Sequence, residues 1–235
     1  QHGMVLLGGD TTASDKLSIG VSVLGTSKGR PVLRSAAQDG DDIWVSGDIG
    51  GSARGLKVLS SSQSLESLDE LGKEQARKHL HPTAQVELGI ELRRRRLVNA
   101  MIDVSDGLVQ DLQHIALASG FSASLQVNRI PFFAGIGSNM SEKLMAITGG
   151  EDYELLFTAA PEKSEQLKDL ARSSFDTSLG NLPNLTRIGR MRASKGAQVP
   201  AVFVLAADGS EENIEDCLER ELGSRKIGFQ HFPIG

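Results

Sequence analysis

Short apolar runs with the two-residue period of strands are interleaved along this chain with stretches of helical period, in an irregular order. Strands are expected at Met4–Leu7, Leu17–Leu24 (LSIGVSVL), Asp42–Ser46 (DIWVS), Ala100–Val104, Phe121–Val127, Tyr153–Thr158 (YELLFT), Thr186–Met191 and Ala201–Leu205. Helices are expected at Ser52–Leu59, Leu68–Leu80, Thr83–Leu97, Gly107–Ser119, Glu142–Thr148, Pro161–Ser173 and Glu211–Glu221. The Gly107–Ser119 stretch is the plainest, because Leu108, Leu112 and Ile115 are spaced to share one face. Pro161 suits a first helical turn. A regular strand–helix alternation would build a doubly wound parallel sheet. The broken order points instead to an α+β fold, a mixed β-sheet flanked by helices. Lys28-Gly29-Arg30-Pro31 interrupts the pattern and divides the chain into residues 1–29 and 30–235. A strand pattern within a few residues of Gln1 reads as the continuation of something earlier, so the chain is expected to lack an N-terminal portion.

The 235 residues carry a formal net charge of -5, with 39% hydrophobic and 23% charged residues, enough to bury an ordinary core. Bulk charge does not attract polyanions, so any phosphate must be held locally by cations or backbone amides. One Trp and one Tyr offer little surface for stacking bases. The run Arg93–Arg96 reads as a solvated helix end, and no nucleic-acid partner is expected. A single cysteine, Cys217, excludes an internal disulfide framework and a Cys-based zinc site, and fits a reducing cytosol. No apolar run approaches the ~20 residues of a membrane-spanning helix, and no signal-peptide pattern opens the chain. A cytoplasmic protein without a membrane partner is expected. The five histidines (His2, His79, His81, His114 and His231) lack metal-ligand spacing and read as structural or exposed.

Three acidic segments carry the chemistry. In Asp103-Val104-Ser105-Asp106-Gly107-Leu108 a strand ends in an acid and a second acid follows as a helix begins. Two such carboxylates suit a hard divalent cation, and Ser105 suits an N-cap beside amides that can meet phosphate. Plain helix capping explains the same residues, and on this motif alone it is the stronger reading. Gly8-Gly9-Asp10-Thr11-Thr12 allows close backbone approach to a ligand, or is an ordinary turn. Gly149-Gly150-Glu151-Asp152-Tyr153-Glu154 places three acids in four residues at the mouth of an apolar strand. These repel one another unless cations or a cationic ligand compensate, so function outweighs a solvated turn here.

Together and in this order, GGDTT (Gly8–Thr12), LSIGVSVLG, Arg34-Ser35-Ala36, SGDIGGSARGL (Ser46–Leu56), IDVSDGLVQDL (Ile102–Leu112), GGEDYELLFT (Gly149–Thr158) and the closing Gly228–Phe232 resemble the thiamine-monophosphate kinase family. That family belongs to the aminoimidazole-ribonucleotide-synthetase superfamily. The likeness covers nearly the whole chain. Single motifs are shared across the superfamily, whereas GGEDYEL and the closing aromatic-x-His-Phe point to the thiamine-phosphate member. Two positions depart from the family pattern. Ala36 stands where a Gly is usual, and Pro82-Thr83-Ala84-Gln85 lacks the Arg of the usual Pro-x-Pro-Arg.

The resemblance implies the C-terminal domain of the superfamily fold, preceded by the last strands of an incomplete N-terminal α/β domain that binds ATP and metal. It implies several Mg2+ ions, with Asp10, Asp103 and Asp106 as ligands. Gly9, Asp10, Arg34 and Ser105 would contact ATP, and Glu151 and Phe229 would contact thiamine monophosphate. The implied reaction is direct in-line transfer of the ATP γ-phosphoryl to thiamine monophosphate, without a covalent intermediate. A homodimer is implied for the full-length protein, and a chain lacking its N-terminal part is expected to be inactive alone. Another ATP-dependent enzyme of the superfamily, and a non-catalytic binding module that kept the fold, stay open as alternatives.

Overall fold

The computed structural model describes residues 4–26, 29–62, 64–173, 182–194, 199–206 and 209–228. The chain divides into two units, Gln1–Arg30 and Pro31–Gly235. No strand is formed among the described residues of the first unit. The strands expected at Met4–Leu7 and Leu17–Leu24 are therefore absent there, and Leu6, Leu7, Leu17 and Leu24 are among its strongly exposed apolar residues. Alternation specifies only which face a strand would bury. Its hydrogen bonds must come from a neighbour, and an unpaired segment is no strand.

The second unit runs β1 (Asp42–Ser46), α1 (Gly51–Ser61), α2 (Glu70–Leu80), α3 (Val86–Arg94), β2 (Ala100–Asp103), α4 (Leu108–Ser119), β3 (Phe121–Leu125), α5 (Met140–Thr148), β4 (Leu155–Ala159), α6 (Ser164–Ser173), β5 (Leu185–Ala193), β6 (Val202–Leu205), β7 (Glu211–Asn213) and α7 (Ile214–Leu222). The strands form one seven-stranded sheet in the order β2-β4-β1-β5-β3-β6-β7. The β3–β6 pair is parallel and the other pairs are antiparallel, so the sheet is mixed, as the irregular element order requires. No helix among the described residues is long and apolar enough to cross a membrane.

All five residues of β1 are buried, because the strand lies inside the sheet with helices on both faces. Ile43 and Val45 enter one core with Leu108, Leu112 and Ile115 of α4, Leu144 and Ile147 of α5, and Leu218 of α7. Trp44 enters the other with Leu88 and Leu92 of α3, Phe157 of β4, and Leu167 and Leu170 of α6. The helix expected to begin at Glu211 begins at Ile214 instead, because residues 211–213 pair with β6 as an edge strand. One side of an edge strand is solvated, so its sequence, Glu-Glu-Asn, carries no apolar alternation.

Helices α1 and α2 pack against each other beside this sandwich, and Gly55 sets how close they come. A Cβ on Gly55 would lie 2.2 Å from the carbonyl oxygen of Gln75. Alanine at an open helical position would gain up to ~1 kcal/mol. Here it must push α2 away, at a cost of ~1–3 kcal/mol for overpacking. Gly55→Ala is therefore expected to lose stability in urea denaturation, and a gain would show that the helices do not meet this closely.

Candidate active site

The site lies where three chain segments meet at one end of β1, β2 and β4. Asp103, the last residue of β2, is in register with Leu155, the first of β4. Beyond this point the ladder continues irregularly. The Val104 amide donates to the Glu154 carbonyl at 2.8 Å, Tyr153 to Val104 at 2.8 Å, and Glu151 to Ser105 at 2.8 Å. The 149–154 loop is thereby fastened along the 103–106 loop, which brings Glu151 beside Asp103 and Asp106. Fastening it requires left-handed backbone at Glu151 (φ 70°) and Tyr153 (φ 53°). Non-glycine residues adopt this conformation at a cost of roughly 1–2 kcal/mol each, and such residues cluster at functional sites. Gly107 (φ 116°) closes the junction, since a Cβ there would sit 2.9 Å from the Thr148 carbonyl oxygen.

The three acids of the loop have different fates. Asp152 accepts the amides of Gly50 (2.8 Å) and Ser52 (3.0 Å), so it caps the N-terminus of α1 from across the fold. Desolvation nonetheless pushes its carboxyl up to about 6, helped by the nearby charge of Glu154 and opposed by those amides and Lys78. Glu154 is buried and accepts the Ser46 hydroxyl at 2.6 Å, and burial raises its pKa as well. Glu151 and Asp152 are both partly exposed, but the Asp152 carboxylate is taken up by two amides, whereas Glu151 has its Oε2 3.5 Å from His79 Nδ1. The repulsion expected among these acids is therefore relieved mostly inside the protein, by amides, by Ser46 and by Lys78.

Asp103 is exposed and Asp106 half-buried. The pKa of Tyr153 is raised by burial first and then by the charges of Glu151, Asp103 and Asp106. Behind them Asp111, buried in the first turn of α4, accepts the amides of Ser105 (3.0 Å) and Asp106 (3.1 Å) through its Oδ2. The N-cap of α4 is Gly107, with no side-chain cap bond, so Ser105 does not cap the helix as expected. The glycine and the Asp111 carboxylate hold the turn in its place. Asp106, Asp111 and His114 each offer a ligand atom within 4.8 Å of the others. Of the two acids expected as metal ligands, this group contains Asp106 and not Asp103; the carboxylate oxygens of Asp106 and Asp111 suit a hard divalent cation such as Mg2+.

Desolvation raises the Asp111 carboxyl to about 6, with Asp106 and Asp103 adding smaller upward contributions. An unfolded Asp ionises near ~3.9. The fold therefore bears a growing penalty as pH rises from about 4 to about 6, and the full penalty above that. Asparagine keeps one oxygen for both amides and cannot ionise. In metal-free buffer Asp111→Asn is expected to be about 1–2 kcal/mol more stable than wild type at pH 7, with the gap closing towards pH 4. Chemical denaturation across that range measures it, and a gap that persists at pH 4 would contradict the assignment.

The other expected site residues lie elsewhere or outside the described region. Asp10 belongs to the first unit, where its Oδ1 accepts the Thr11 amide at 2.8 Å. It lines a polar concavity there with Thr12, Ser14 and Lys16. A Cβ on Gly9 would meet nothing within 4 Å, so packing within the chain does not demand this glycine. Arg34 is exposed, and its carbonyl accepts the Ser119 hydroxyl at 3.2 Å. That is the far end of α4 from Asp106, roughly 18 Å of helix away. Phe229 falls outside the described residues. The arginine run ends α3, and Arg94 and Arg95 reach back to buried Glu91 at 2.7 and 2.9 Å. Sequence reasoning missed Asp111, Tyr153, Ser52 and His79. Asp111, Tyr153 and Ser52 lie inside motifs already singled out, whereas nothing local marks His79 as a partner of Glu151.

This fold and this acidic junction define a class. The chain belongs to the AIR synthase related proteins, because residues 38–200 match the C-terminal domain of that family. Its similarities narrow the class further. A thiamine-monophosphate kinase of Haemophilus influenzae is 37% identical over 236 residues, which cover 99% of this chain and 65% of that protein. A crystal structure of thiamine-monophosphate kinase from Stenotrophomonas maltophilia K279a matches with a TM-score of 0.62 and 34% identity, covering 77% of this chain and 54% of that one. A solved complex of AaThiL with AMPPCP and TMP matches with a TM-score of 0.57 and 29% identity, covering 77% and 52%. The chain thus spans between about half and about two-thirds of the length of these proteins.

Proposed function

We propose that the full-length protein containing this chain is a thiamine-monophosphate kinase, forming thiamine diphosphate from thiamine monophosphate and ATP. The observation that carries this reading is the meeting of Asp103, Asp106 and Glu151 at one junction. Asp103 and Asp106 would there form a metal-binding pair beside Glu151, a carboxylate suited to a cation. The similarity to kinases of that name, and to a relative that binds AMPPCP and TMP, supports it.

In this reading the nucleophile is an ionised phosphate oxygen of the substrate, so the protein needs neither a strong general base nor a covalent intermediate. The obstacle is repulsion between two polyanions that must approach in line. Asp103 and Asp106 would hold Mg2+, which when bound supplies the neutralising charge. Ser105 and Arg34 would contact ATP, with Gly9 and Asp10 joining from residues 1–29, the part assigned to an ATP- and metal-binding N-terminal domain. Residues 30–235 would form the C-terminal domain. Glu151 would face the fixed positive charge of the thiazolium, and Phe229 would stack against the substrate. The enzyme is taken as a cytoplasmic homodimer with several Mg2+ ions, and this chain by itself as inactive. Purified full-length protein given ATP, Mg2+ and thiamine monophosphate should yield thiamine diphosphate. Failure to form it, with folded protein, would refute the assignment.

A further inference from the structure

We infer that His79 is a positioning residue for Glu151, an inference that rests on Glu151 facing the thiamine cation. His79 sits in the last turn of α2, with Nδ1 2.9 Å from the Ser52 hydroxyl and 3.5 Å from Glu151 Oε2. Both side chains at this contact are shielded, 18% exposed for His79 and 29% for Glu151. A carboxylate oxygen facing Nδ1 repels a lone pair there and favours the form with the proton on Nδ1. That N–H then points between the Ser52 oxygen and Glu151. It turns Oε2 towards α2 and leaves the other carboxylate oxygen for a ligand.

The imidazole is fixed from both sides. Ser52 is buried in the first turn of α1, and its amide is bound by Asp152, the neighbour of Glu151. The close approach at Gly55 locks α1 to α2. The Glu151 backbone is pinned to Ser105. Lys78, the next cation along α2, lies over the Phe133 ring at 5.5 Å, and its charge acts on Asp48, Asp152 and Glu154. The contact with Glu151 falls to His79.

The test uses the full-length protein with His79→Leu and His79→Asn, each made with and without Glu151→Gln. Affinities for thiamine monophosphate and for ATP are measured by calorimetry, and folding is checked by thermal melts. His79→Leu keeps the packing volume but removes the donor. It should weaken thiamine monophosphate binding ~10-fold, the scale of one hydrogen bond to a charged group, and leave ATP binding unchanged. Asparagine places an N–H close to the position of Nδ1 and should bind within ~3-fold of wild type. With Glu151→Gln already present, His79→Leu should add less than ~2-fold. Wild-type affinity in His79→Leu, losses that multiply independently of Glu151→Gln, or no rescue by asparagine in folded protein would each overturn the inference alone. A wild type that does not bind thiamine monophosphate would overturn the functional reading, and this inference with it.

Discussion

Asp106→Ala in the full-length protein is expected to lower the rate of thiamine diphosphate formation by at least ~100-fold, the scale of losing one preorganised group that stabilises transition-state charge. Asp103→Ala should fall in the same range. The two residues flank a turn whose amides are held by Asp111 and whose far side is fastened to the 149–154 loop, so truncation would remove a proposed ligand and, at Asp106, one long hydrogen bond from Gln110. Asp103 is exposed and Asp106 half-buried, which keeps the expected stability change small. Steady-state kinetics with thermal melts separate the two effects. Near-normal turnover in both variants would remove these carboxylates from the mechanism.

The second large effect is expected at Glu151. Glu151→Gln preserves shape and takes away the negative charge proposed to face the thiazolium. An attraction between partly exposed charges a few ångströms apart is worth ~1–3 kcal/mol, so KM for thiamine monophosphate should rise ~10- to 100-fold. KM for ATP should stay near its wild-type value. Glu151→Lys should raise KM for thiamine monophosphate further still, because it replaces attraction with repulsion. Equal losses for both substrates in Glu151→Gln would mean that Glu151 serves the architecture of the loop and not the cation.

Parts of this arrangement were legible in the sequence because they are local. DIWVS is apolar on both faces and becomes an interior strand. Leu108, Leu112 and Ile115 share one face and become the core side of α4. Asp103 and Asp106 straddle a strand-to-helix junction, which geometry alone keeps close. The rest depends on contacts that no local pattern encodes. Asp152 and Glu154 look like partners of Glu151, yet one caps α1 and the other is buried against Ser46, each about a hundred residues away in sequence. His79 reaches Glu151 only because a glycine lets α1 and α2 approach. The edge strand Glu211–Asn213 is set by pairing with β6, and its composition suits a helix equally well. Met4–Leu7 and Leu17–Leu24 have the apolar character of strands, but among the described residues no neighbour pairs with them.

One proposed arrangement underlies all of these expectations: a metal held at Asp103 and Asp106 would lie close to a substrate held at Glu151. Paramagnetic broadening of the thiamine monophosphate 31P resonance by protein-bound Mn2+ reports that proximity. The full-length protein should broaden the line strongly when metal and substrate are both present, and Asp106→Ala should abolish the effect while substrate still binds. Substrate that binds with an unbroadened 31P line, in protein that also holds Mn2+, would place the two sites apart and contradict the account.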